Sequence, residues 1–190
     1  MSTPSTQAIR QFRGRLIADP SNIDLAAPYG GTYLGIVRAA VFEPRIRTRE
    51  ILAEEYGNTP VEAIYAGQSP VFLAVLRGLD GDMIPKVFPS ASLGSISQTD
   101  PLIQDNATSD AGRAGQLLST KTFKLLFAPD AENWDPFIVV YKALPLVQEA
   151  AQMQFALSTE LGIAVAFMGL PDNSKGGKRY EMGARKDIAL

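Results

Sequence analysis

The sequence predicts a mainly β protein: an antiparallel β-sandwich or barrel with at most one short helix, long loops and flexible termini. Three observations carry that expectation. Short runs rich in Val, Ile, Tyr, Phe and Thr recur along the chain, bounded by Gly, Pro, Asn and Asp clusters. The helical signal is confined to one brief element after Asp80-Gly81-Asp82, ended by Pro85 and Pro89 near Phe88. No repeat occurs at solenoid periods, so the strands must layer or close on one another.

The chain has 190 residues and is read as one domain, 1–190, long enough to bury a core. Residues 1–8 are Ser/Thr/Pro-rich and read as an extended arm. Ile9–Ile17 reads as a short strand, weakened by Gly14. Ala18–Gly31 carries loop chemistry in Pro20, Asn22, Asp24, Pro28 and the Gly30-Gly31 pair. Thr32–Phe42 is the next strand, and Pro44 bends the chain after it.

Arg45, Arg47 and Arg49 then fall at every second position, which places them on one face of a strand. Like charges on one strand face suit water, a channel wall or an acidic neighbour better than a core. Gly57-Asn58-Thr59-Pro60 is a turn, Val61–Ala66 a strand, and Val71–Leu79 a buried strand by its shortness and flanking turns.

Residues 90–115 have little periodicity and read as a long loop, of a length that is usually functional or disordered. Strand patterns return at Thr120–Phe127 and Phe137–Val147, with Pro145 marking an edge or bulge. Ala150–Phe155 and Leu161–Met168 form the last apolar pair. Residues 172–190 are rich in Gly, Lys and Arg and read as an exposed arm.

Composition narrows the chemistry. Hydrophobic residues make up 46% and charged residues 20%, so the chain is globular. A net charge of -2 implies no general attraction to nucleic acid or an anionic membrane. There is no cysteine, hence no disulfide, thiolate nucleophile or usual structural zinc site. There is no histidine, hence neither the commonest general base nor the usual triads. The N-terminus lacks the apolar core of a secretory signal. The longest apolar run, Leu161–Leu170, is about half of what a bilayer span needs. The protein is expected to stay in a cytoplasm unless it leaves within a larger particle.

Candidate sites are few. Gly30-Gly31 with Gly35 lacks the spacing of either common phosphate loop, so a turn is the reading. Asp80-Gly81-Asp82 lacks the further ligands of a calcium loop and reads as a helix cap. Asp100, Asp105 and Asp110 read as a solvated loop. Glu54 and Glu55 are adjacent, so on a strand they point to opposite faces and form no acid–base pair. No catalytic, cofactor-binding or metal site is expected.

The segment Glu54-Glu55-Tyr56-Gly57-Asn58-Thr59-Pro60-Val61-Glu62-Ala63-Ile64-Tyr65-Ala66-Gly67 resembles the central hairpin of tail tube proteins of long-tailed bacteriophages. Tyr141–Val147 and the strand ending Phe167-Met168-Gly169-Leu170-Pro171-Asp172 are similar to the closing half of such subunits. The resemblance implies a structural virion protein with no enzymatic activity. Its subunits would form homohexameric rings that self-assemble into the hollow tube through which DNA is delivered. Partners would be other copies of the chain, the tail terminator, the baseplate or tip and the tape measure, with DNA passing transiently and no membrane contact. It implies location in the virion tail after synthesis in the bacterial host's cytoplasm. On this reading Glu50, Glu54, Glu55 and Glu62 sit near the lumen or ring interface, where negative charge keeps phosphates from sticking. Arg45, Arg47 and Arg49 would pair between subunits. The alternatives are a tail terminator or capsid–tail adaptor that stops at one ring, and, further off, a carboxylate-based hydrolase.

Overall fold

The computed structural model describes residues 13–24, 26, 29–53, 59–77, 84–87, 91–93, 103–105, 118–130, 136–146, 153–156, 159–188 and 190. In chain order the strands are β1 (Gly14–Ala18), β2 (Thr32–Glu43), β3 (Ile46–Ala53), β4 (Thr59–Gln68), β5 (Val71–Arg77), β6 (Ala91–Leu93), β7 (Ile103–Asp105), β8 (Phe123–Pro129), β9 (Phe137–Pro145), β10 (Met153–Ala156), β11 (Thr159–Leu170) and β12 (Tyr180–Gly183). A single turn of α-helix, α1 (Ile84–Val87), follows β5.

The main sheet runs β10-β11-β5-β2-β1-β8-β9-β12, every pairing antiparallel. A further pairing of β11 with β9, Phe167 opposite Pro145 through Leu170 opposite Lys142, closes it into a barrel. The barrel wall is therefore β11-β5-β2-β1-β8-β9. β10 and β12 take up the stretches of β11 and β9 that the closure leaves over. Closure satisfies backbone groups that an open sheet would leave as edges.

Alternation along the strands builds two cores on opposite sides of one wall. Leu16, Leu125, Phe127, Ile138 and Val140 point into the barrel with Phe72 and Phe167. Their neighbours Ile17, Leu126, Phe137, Val139 and Tyr141 point outward and form a second cluster with Ile23 and Tyr29. Phe72 and Phe127 pack with centroids 5.6 Å apart, and Phe123 meets Phe167 edge-on at 5.7 Å. Val87 of α1 plugs one end of the barrel, 5% exposed. Beside it Lys86 meets the Asp19 carboxylate, its ammonium 5.2 Å from the Phe123 ring centroid.

Three expectations change. Gly14 does not weaken its strand; it permits it. A Cβ there would lie 2.3 Å from the Ala128 carbonyl oxygen and 2.9 Å from the Phe127 ring, so only glycine lets β1 approach β8 this closely. Residues 172–190, read as an exposed arm, fold back onto the barrel. Asp172 bridges Lys178, and β12 pairs with β9 from Tyr180 opposite Val140 to Gly183 opposite Phe137. Ile188 is 7% exposed in the outer cluster, and Arg185 Nε donates to the Ile23 carbonyl at 2.9 Å. The physical reason is that the outer side of β1, β8 and β9 is apolar and needs a cover. Lastly, the 90–115 stretch holds a small hairpin, β6 with β7. Asp105 ends β7; Asp100, Asp110, Asp80-Gly81-Asp82, Trp134 and the 1–8 arm lie outside the described residues.

Candidate functional site

β3 and β4 form a two-stranded sheet of their own, separate from the barrel. The departure point is Glu43-Pro44-Arg45. Proline interrupts the β2 ladder, and Arg45 then takes a left-handed conformation at φ 42°. Its Nε donates to the Glu43 carboxylate at 2.8 Å, which holds the bend. Ser69 N–H donates to the Arg45 carbonyl at 3.1 Å and ties the two feet of the hairpin together. Arg45 therefore stands before the strand, at its hinge, and not on the strand face with the other two arginines.

The register assigns the hairpin two faces. Arg47 lies opposite Gly67, Arg49 opposite Ile64 and Ile51 opposite Glu62. Paired residues share a face, so Arg47, Arg49 and Glu62 lie together, with Glu62 diagonal to Arg49. The other face carries Thr48 opposite Tyr65, Glu50 opposite Ala63 and Leu52 opposite Pro60. Glu50 and Glu62 are thus on opposite faces. Register shifts fall between Arg47 and Thr48 and between Ile51 and Leu52. At the first, Gly67 takes φ 119°, a value glycine alone adopts readily. Glu54 and Glu55 lie outside the described residues.

Both faces are open to solvent in the single chain. Arg47, Arg49, Glu50 and Glu62 are all exposed. So are large apolar side chains: Ile46 at 61%, Tyr65 at 57%, Val61 at 54%, and Leu52 and Ile64 at 52%. A lone two-stranded hairpin is marginal in water. Exposed apolar surface of this extent is the kind that marks interaction sites. The period-two charge pattern of β3 gives no sign of these apolar side chains. The available signal was Val61–Ala66, where apolar side chains fall at odd and even positions alike, unlike a strand with one wet face.

At the hairpin's foot the barrel mouth holds an apolar pocket of about 210 Å³. Phe42, Pro44, Phe72, Phe127, Tyr180 and Met182 are among the residues lining it. Phe42 and Tyr180 meet edge-on across it at 4.7 Å. Among the described residues no charged side chain lines it, so these residues offer packing rather than acid–base chemistry. Among the described residues no group of three or more acidic side chains is placed to hold a metal ion, and no helix is long and apolar enough to cross a membrane.

No family model matches the chain, and no curated protein matches it significantly.

Proposed function

We propose that this protein is a structural subunit that assembles with copies of itself into rings, and that the rings stack into the hollow tail tube of a long-tailed bacteriophage. The observation that carries the reading is the β3–β4 hairpin, which stands apart from the closed barrel with apolar side chains on both faces. Closure removes most of the barrel's edges, whereas among the described residues each hairpin strand pairs with one neighbour only. Its outer edges are ready to pair with another chain. Repeated head-to-tail contact closes into a ring when the rotation permits. The hairpins would then bury their apolar side chains on neighbouring subunits around a central channel. The resemblance of residues 54–67 to the tail tube hairpin supports the same assignment, because residues 59–67 of that segment make up most of β4.

Negative-stain electron microscopy of the purified protein across a concentration series tests this. Long hollow tubes are the expected result. Single rings that never stack would replace the tube with a terminator or adaptor. A monomer at every concentration, in the presence of tail-tip components as well, would overturn self-assembly.

A further inference from the structure

The outer surface of the barrel has two unlike halves. Over β1, β8 and β9, the apolar side chains are covered by the chain's own residues, Tyr29 and Ile188 among them. Over β2, β5 and β11, no such cover is present among the described residues. Ile36 is 49% and Val41 50% exposed there, and Leu73, Val75 and Met168 are partly exposed beside them. This half is also basic. A register shift between Val37 and Ala39 turns Arg38 and Ala39 both outward, since Val37 and Ala40 flank them on the inner side. Arg77, opposite Ile36 at the end of β5, is exposed as well.

The hairpin supplies a complement on the same chain. The face with Thr48, Leu52 and Tyr65 is apolar, and among the described residues Glu50 is its one charged side chain. The opposite face carries Arg47 and Arg49 with the single carboxylate of Glu62, a net positive charge that would be set against Arg38. Charge thus selects which side of the hairpin can lie on the bare half of a barrel. Eight residues of β3 extend about 26 Å at the usual rise of a strand, enough to cross a neighbouring barrel's wall.

We propose that the Glu50 face of the hairpin docks on the β2–β5–β11 outer face of the next copy, with Glu50 meeting Arg38. The inference rests on the ring reading and deepens it by assigning the two halves of the contact. It reverses the sequence-based expectation that the arginines pair between subunits. The Arg47–Arg49–Glu62 face is turned away from the neighbour's barrel.

The test uses charge reversal in trans. Glu50→Arg alone and Arg38→Glu alone each place like charges in the contact, so each raises the concentration needed for assembly by about tenfold. Mixed in equal amounts, the two variants restore assembly, because alternating copies again present opposite charges. The double variant in one chain does the same. Both positions are exposed, and circular dichroism should show unchanged folding. The chain has no cysteine, so Glu50→Cys with Arg38→Cys provides an independent readout as an intermolecular disulfide ladder under mild oxidation. Tubes that form from the single variants as from wild type, with no ladder, would overturn this contact and leave the ring reading standing. Wild-type protein that never associates would overturn both.

Discussion

Replacing Leu52 and Tyr65 together by threonine should cripple assembly while leaving the barrel's stability nearly unchanged. Threonine keeps the β-propensity of the strand and removes most of the apolar surface. Leu52 is 52% and Tyr65 57% exposed in the single chain, so about half of each side chain remains for a partner to bury. Full burial of a leucine is worth about 1.5–3 kcal/mol, so its remaining half contributes about 1 kcal/mol. An aromatic side chain buries roughly 150–250 Å², and half of that at about 25 cal/mol per Å² contributes about 2.5 kcal/mol. With the residual methyl of threonine discounted, the contact loses about 3 kcal/mol, roughly a hundredfold in association constant. The monomer should lose no more than about 0.5 kcal/mol, because neither residue belongs to either core cluster. Sedimentation across a concentration series reads the first quantity, and urea unfolding of the dilute monomer reads the second. An unchanged assembly concentration would show that this face stays wet in the ring. A barrel destabilised by several kcal/mol would show that the side chains pack on their own chain.

Gly14→Ala should destabilise the fold by about 1–3 kcal/mol through overpacking against the Ala128 carbonyl and the Phe127 ring, read as a lower urea midpoint. Ile188→Ser should cost about 2 kcal/mol and lower the melting temperature by about 4–8 °C, because it uncovers the outer cluster around Tyr29 and Phe137; an unchanged melt would mean that the tail does not seal that face. Burial, then the hydrogen bond to Glu181, hold the Tyr141 phenol far above its ordinary value of 10.0. The neutral phenol is the form the fold favours, so its contribution is complete below pH 10.0 and is lost as the pH rises beyond it. Ultraviolet titration should show the Tyr141 phenol resisting ionisation until the protein unfolds in alkali, and Glu181→Gln should let it titrate earlier.

Much of the fold was legible because its signals are local. Thr32–Phe42 and Val71–Leu79 announce themselves through β-branched and aromatic content between turn residues, and they became β2 and β5 with ends shifted by no more than two residues. The tail was not legible in this way. Its Gly, Lys and Arg content describes a polar segment, while its place is set by the apolar outer face of β1, β8 and β9, far away in sequence. Gly14 was misread for the same reason, since what it makes room for is a carbonyl at residue 128. Arg45 was drawn into the strand by a period-two pattern that ignores the proline before it.

The sequence by itself determined the class of the molecule: antiparallel β, one short helix, no cysteine or histidine chemistry. Composition, turn residues and strand propensity act over a few residues and need no partner to be read. Tertiary structure decided that the sheet closes through β9 and β11, that one outer half is covered by the tail while the other has no such cover among the described residues, and that β3 and β4 form a sheet separate from the barrel. Those outcomes depend on contacts between residues far apart in the chain, where closure, packing and register choose among arrangements that local preference leaves equal.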